Sequence, residues 1–220
     1  MLSTAPSEME SKAKQFKLYR DNAWQGWKDI VYTEDPSRPL SGPQKAPEYD
    51  YLFTLYQVWL RRRLLAIYKS RRMMMSWFFI WLHLQIAMFN TNRLVFLVSK
   101  KEENSDELVK RCEFIYDHIP SEFLPFKPKK YSKYCLLGFP ELRSRIVGVP
   151  EGSDQLRQFA SSAVFFDEFA FWRNQEKAFA AAMPTVEQSG RFTIVSTVQP
   201  GYYYEFCTDR TDLVGTKIGD

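Results

Sequence analysis

The sequence predicts an α/β fold: a mostly parallel central sheet with helices on both faces. Three observations carry this expectation. The runs Leu64–Tyr68, Leu94–Val98, Ala163–Phe166 and Phe192–Ser196 are of strand length and almost wholly apolar, as strands buried on both faces must be. Segments of helical period lie between them, so strand and helix alternate along the chain. The run Ala163–Phe166 ends in two adjacent carboxylates, Asp167 and Glu168. Ligands bind at that end of a strand in open α/β sheets.

The elements follow in chain order. Residues 1–14 are polar and are expected to form a mobile tail, and residues 15–33 a short helix with a docking segment. Residues 34–48 hold four prolines and one glycine, the composition of a surface connection. A domain boundary is placed here, with 1–48 as an N-terminal extension and 49–220 as the main domain. Tyr51–Arg62 has apolar positions Leu52, Leu55, Tyr56 and Trp59, the spacing of a helix. Strand Leu64–Tyr68 and helix Ser76–Phe89 follow, then strand Leu94–Val98. Ser105 is the expected cap of a helix whose stripe is Leu108, Cys112, Ile115 and Ile119. Four prolines make residues 120–145 read as irregular, before a short strand Arg145–Val149. Strand Ala163–Phe166, helix Gln175–Met183 and strand Phe192–Ser196 complete the pattern.

Composition narrows the function. A chain of 220 residues with 45% hydrophobic and 16% aromatic content can build a substantial core. A formal charge of +4 permits a polyanionic partner without requiring one. Cys112, Cys135 and Cys207 lie far apart and form no CxxC pair, which argues against a zinc site or a disulfide framework. The N-terminus lacks the apolar core of a secretory signal. The run Met73–Phe89 is interrupted by Ser76, His83 and Gln85 and is short for a membrane span. A helix buried in a two-sided core explains it.

The chemistry-bearing residues sit where strands meet helices. Lys69-Ser70-Arg71-Arg72-Met73-Met74-Met75-Ser76 lies between a buried strand and a helix, where helix N-terminal amides can hold phosphate. The pattern GxxxxGK[ST] is only partly kept. Neither glycine is present and Met75 stands at the lysine position, while Ser76 keeps the hydroxyl that contacts Mg²⁺. Lys69, Arg71 and Arg72 supply positive charge from the front of the loop. In P-loop nucleotide hydrolases an acid such as Asp167 holds Mg²⁺, and one such as Glu168 activates water. Ser196-Thr197 opens a small hydroxyl-rich turn after the last strand. Gln57 precedes the first strand, and its amide has the paired donor and acceptor that an adenine edge needs.

In their order along the chain, these residues resemble the ATPase domain of the large terminase subunit of tailed bacteriophages. The residues concerned are Tyr56-Gln57, Lys69 through Ser76, Val164 through Phe171, and Ser196-Thr197 with Pro200-Gly201. The resemblance covers roughly residues 50–205 and implies a P-loop NTPase of the ASCE type. By that resemblance the cofactors are ATP and Mg²⁺. Gln57 lies against adenine, the backbone of 70–76 wraps the phosphates, and Lys69 with Arg71 or Arg72 offsets their charge. Ser76 and Asp167 hold the metal, Glu168 acts on the water, and Ser196 and Thr197 couple hydrolysis to movement. Arg157 occupies the place of an arginine that reaches a neighbouring subunit's ATP.

The resemblance further implies a motor threading double-stranded DNA into a procapsid, in the host cytoplasm at the procapsid vertex. Portal protein and small terminase subunit are the implied partners. A homo-oligomeric ring, expected to be a pentamer at work and a monomer in isolation, is implied as well. Only Asp209, Asp212 and Asp220 follow the coupling turn as acids of aspartate type, so no nuclease activity and a truncated ATPase module are expected. A helicase-like translocase of another family and a catalytically inactive scaffold are the alternative readings. The lysine-rich run 127–133 and Arg61-Arg62-Arg63 are candidate DNA contacts, each with plain solvation as its alternative.

Overall fold

The computed structural model describes residues 6–34, 42–124, 127–188 and 190–208. Helix α1 spans Pro6–Asp21 and α2 spans Ala23–Ile30, capped by the Asn22 side-chain oxygen, which accepts from the Gln25 amide at 3.1 Å. Short strands β1 (Tyr32–Thr33) and β2 (Gln44–Lys45) pair antiparallel. Then follow α3 (Asp50–Arg61), β3 (Leu64–Lys69), α4 (Met75–Phe89), β4 (Leu94–Ser99) and α5 (Glu102–His118). Strands β5 (Tyr131–Lys133), β6 (Leu136–Phe139) and β7 (Ser144–Pro150) precede a short helix α6 (Gln155–Gln158). The chain continues through β8 (Ala163–Asp167), α7 (Gln175–Gln188), β9 (Arg191–Thr197) and α8 (Tyr202–Thr208).

Seven strands form one sheet in the order β3-β9-β8-β4-β7-β6-β5. The first five are mutually parallel, and the β7-β6-β5 end is antiparallel. Strand β9 lies between the loop-bearing β3 and the acid-bearing β8.

Side chains alternate across the sheet, and the two faces bury separate clusters. Leu65, Ile67, Val95, Leu97, Ala163, Phe165 and Val195 face the layer of α2, α3, α4 and α5. Val164, Phe166, Phe192 and Ile194 face α7 and α8. This period of two decides the site. Lys69, Asp167 and Thr197 continue the parity of the first set, so all three emerge on the α4 side.

Helix α4 is apolar all round because it is buried all round, between the sheet and α2. Trp81 lies at its centre, its indole N–H donating to the Ala23 carbonyl at 2.7 Å, and the Gln85 amide donates to the carbonyls of Tyr19 and Arg20. No helix among the described residues is long and apolar enough to cross a membrane.

Four expectations need correction. The polar N-terminus is helical from Pro6, and Tyr19, Ala23, Trp27 and Ile30 join the core around α4. Helix α5 begins at Glu102, so Ser105 is inside its first turns. There its hydroxyl donates to the Val149 carbonyl at 2.7 Å and accepts from the Ser99 amide at 3.1 Å, pinning α5 to β4 and β7. Gly148 permits this close approach: an added Cβ would lie 2.9 Å from the Ser105 carbonyl oxygen. Residues 131–139, read as irregular, extend the sheet by two antiparallel strands. Helix α7 continues to Gln188 past Pro184, a residue that usually ends a helix. Asp209, Asp212 and Asp220 lie outside the described residues.

His83 is fully buried on α4 beside Phe165 and Trp59, with Nδ1 2.7 Å from the Phe79 carbonyl oxygen. Its Nε2 has no hydrogen-bond partner among the described residues. Burial pulls its pKa from 6.5 down to about 4. An unfolded chain therefore takes up a proton near pH 6.5 that the folded chain refuses until about pH 4. Stability must fall as pH drops through that window, by on the order of 3 kcal/mol. Urea denaturation from pH 7 to 4 should show His83→Leu losing less stability than the wild type by about that amount. Equal losses would show that His83 does not govern this window.

Candidate functional site

The loop joining β3 to α4 turns tightly. Arg72 and Met74 have φ of 62° and 52°, and Glu168 across the sheet has 51°. Left-handed backbone costs a non-glycine residue about 1–2 kcal/mol, and such strain gathers at functional sites. Met74 occupies the second glycine position of the phosphate-loop pattern, so glycine's conformation is kept without the glycine. The Tyr51 hydroxyl donates to the Met73 carbonyl at 2.9 Å and fastens the loop to α3. Met74 makes no side-chain cap on α4, which leaves first-turn amides available to an anion. Met75, at the lysine position, is instead a core residue.

The loop and the acid pair meet. The Ser76 hydroxyl donates to Asp167 Oδ1 at 2.8 Å. Asp167 is buried, which raises its carboxyl pKa; the Ser76 hydrogen bond opposes this and the Glu168 charge adds to it. A buried carboxylate touching a hydroxyl is a pair of hard oxygen donors. That set suits Mg²⁺, which takes one or two protein ligands and completes its shell with water and phosphate oxygens. The residues present therefore fit the metal that the sequence implied.

Glu168 is held from two sides. Lys69 Nζ donates to Oε1 at 2.9 Å, with the lysine side chain only 7% exposed and the glutamate 37%. The Thr197 amide and hydroxyl each donate to Oε2 at 3.0 Å. Burial raises the Glu168 pKa, but the Thr197 amide and the Lys69 ammonium outweigh it, so the carboxyl sits below its ordinary value. Ser196 faces the other side of β9, accepting from the Ala170 amide at 2.9 Å. The two hydroxyl residues thus tie the end of β9 to the turn that carries Glu168.

Beyond the acids lies a cavity of about 320 Å³ lined by Ser99, Asn104, Arg111, Asp167, Glu168 and Phe171 among others. Arg111 stands over the Trp77 ring at 5.5 Å, and its charge acts on Asp167. Sequence reading missed Arg111. Its signal was its place on α5, directly before the core residue Cys112, where a side chain can reach the sheet's C-terminal edge.

The remaining site candidates are placed as follows. Ser70, Arg71 and Arg72 are exposed on the loop. Gln57 is half-exposed on α3, and its amide has no hydrogen-bond partner among the described residues. Its neighbour Tyr56 is a core residue. Arg157 is exposed on α6, and its side chain has no ion-pair partner among the described residues.

Lys69 should be needed for nucleotide binding as well as for holding Glu168. Calorimetry on Lys69→Ala should show nucleotide affinity reduced tenfold or more, about 1.4 kcal/mol or above. Unchanged affinity would pass the phosphate role to Arg71 or Arg72.

No protein-family model and no curated protein matches the sequence. Solved structures do share its fold. The HK97 bacteriophage large terminase aligns with a TM-score of 0.64 at 8% identity, over 82% of this chain and 38% of that one. The Thermus phage P74-26 large terminase ATPase domain aligns at 0.57 and 14% identity, over 80% and 74%. The large terminase of a thermophilic bacteriophage aligns at 0.51 and 10% identity, over 68% and 39%. This chain therefore spans about two fifths of the HK97 and thermophilic-phage proteins and three quarters of the P74-26 domain. At these identities the likeness speaks for architecture: the chain has the fold of the ATPase domain of phage large terminases.

Proposed function

We propose that this chain is the ATP-hydrolysing module of a viral DNA-packaging motor of the large-terminase kind. The observation that carries the reading is the 2.8 Å contact between Ser76 and Asp167, with Glu168 next in the chain. It joins the first turn of the helix after the loop to the acids of another strand, with β9 between. A solvated strand end would not bury its acid against that hydroxyl.

In this reading the triphosphate lies along 70–76, with its negative charge facing the first amides of α4, Lys69 and Arg71 or Arg72. Ser76 and Asp167 hold Mg²⁺, which when bound offsets charge on the phosphates. Gln57 reads the adenine. Glu168 is the general base. Its lowered pKa keeps it a carboxylate at neutral pH, so it can accept a proton from water beside the cavity. In the conformation described, both of its oxygens are already engaged. A phosphate that draws Lys69 away leaves Thr197 as the remaining restraint on that carboxylate. Turnover is thereby linked to β9, which is the coupling role assigned to Ser196 and Thr197.

Arg157 completes a neighbouring subunit's site in trans within a homo-oligomeric ring. The substrate is double-stranded DNA, with portal protein and small terminase subunit as partners at the procapsid vertex in the host cytoplasm.

Glu168→Gln should retain ATP and lose turnover by about 10²–10⁴-fold. Hydrolysis equal to the wild type would remove Glu168 as the base, and an inactive wild-type ring would favour the scaffold reading. Arg157→Ala should leave affinity intact and lower turnover only in the assembled ring, by up to about 10³–10⁵-fold. A loss confined to binding would exclude a finger in trans.

A further inference from the structure

The site uses the C-terminal edge of the parallel strands. The opposite edge is built largely from arginine. Arg61, Arg62 and Arg63 lead into β3, Arg191 opens β9, Arg93 precedes β4, and Arg143 and Arg145 flank the start of β7. The stretches 61–63, 90–93, 143–145, 160–162 and 190–191 contain no Asp or Glu.

Backbone hydrogen bonds make these segments one continuous rim. The Phe192 amide donates to the Arg63 carbonyl, Arg191 to Ser162, Ser162 to Leu94, and Arg145 to Arg93, all at 2.7–3.1 Å. Two of the arginines build the rim. The Arg63 guanidinium donates to the Gly190 carbonyl at 3.3 Å, and that of Arg191 stacks 3.9 Å over Trp59 and donates to the Arg62 carbonyl at 3.0 Å. The other five, Arg61, Arg62, Arg93, Arg143 and Arg145, are exposed. None of these five forms an ion pair with a described carboxylate.

From β3 to β7 is four strand spacings, about 19 Å. That is close to the width of a duplex. Five unpaired guanidiniums along such a line, interspersed with Asn90, Asn92 and Ser162 instead of acids, match a rigid row of phosphates. They do not match a protein surface of mixed charge.

Of the four lysines in the run that the sequence offered for this role, two are spent internally. Lys130 pairs with Glu113 and Asp117 at 2.6 Å, and Lys127 lies 4.0 Å over the Tyr116 ring. We infer that the arginine rim at the N-terminal edge of the sheet is the surface that holds the sugar–phosphate backbone of duplex DNA, on the face opposite the nucleotide site. This rests on the motor reading above and names its DNA track. Phosphate contacts carry no sequence information, as a motor that moves along any sequence requires.

The test is fluorescence anisotropy of the full chain on two unrelated labelled duplexes across a salt series. Each phosphate contact contributes about −0.9 to the slope of log K against log salt. The combined variant Arg93→Gln, Arg143→Gln, Arg145→Gln should flatten that slope by about 2–3 and weaken binding to both duplexes at least tenfold at low salt. Arg→Lys at the same three positions should restore the slope, which separates lost charge from lost structure. Lys129→Gln with Lys133→Gln should change little.

The rim is overturned if the glutamine variant keeps the wild-type slope, if the lysine-run variant loses binding instead, or if the wild type binds no duplex. Nucleotide binding measured on the same samples keeps the two readings apart. DNA binding that depends on the rim in a chain that binds no ATP would sink the motor and leave the rim standing.

Discussion

The junction between Ser76 and Asp167 is the constraint on which the rest of the molecule turns. Ser76 sits in the first turn of a helix buried all round, and Asp167 ends a strand buried all round. Neither can move without disturbing the core, so their separation is set by packing. A buried carboxylate is costly unless it is hydrogen-bonded or paired. The core keeps it where one hydroxyl partially satisfies it and where a divalent cation would satisfy it fully. The whole α4 layer, including α1 and α2, serves to fix that helix at that height on the sheet.

Around this fixed point the charges are arranged as mutual substitutes. Lys69 is nearly buried against Glu168, and the Glu168 turn is strapped to β9 through Thr197 and, on the other face, through Ser196. In the proposed reading a phosphate group competes for the same lysine, so its binding and the release of Glu168 would be one event. The strained backbone at Arg72, Met74 and Glu168 belongs to the same device. Left-handed backbone occurs on both sides of the Ser76–Asp167 junction, at Arg72 and Met74 in the loop and at Glu168 beside the acid, at a cost the buried layers absorb.

Much of this was legible in the sequence. The apolar runs marked the five parallel strands almost to the residue, because strands buried on both faces leave no polar interruption. The period of two along those strands puts Lys69, Asp167 and Thr197 on the same face as the α4-side core residues, a relation that becomes visible once the strand pairing is known. Other features were hidden for physical reasons. Strands β5 and β6 lie at the sheet's margin, where Tyr131 is exposed and prolines crowd the flanks, so no continuous apolar signal marks them. The N-terminal helix is polar along most of its length, and its docking residue Tyr19, like Trp27 of α2, reveals itself only against α4. Arg111 carries only a weak signal, its place before Cys112 on α5, because its significance is tertiary: it stands beside the acids only once α5 has packed on β4 and β7. Met74 misled in the opposite sense. Losing glycine weakened the phosphate-loop pattern, yet the backbone keeps glycine's conformation.

The most direct measurement is a crystal structure of the full chain with Mg²⁺ and a non-hydrolysable ATP analogue. The metal is expected between Ser76 and Asp167, the phosphates on the amides of 70–76, and Lys69 withdrawn from Glu168 toward them. A cleft left empty at saturating analogue, or the nucleotide bound elsewhere with Lys69 still on Glu168, would contradict the proposed reading.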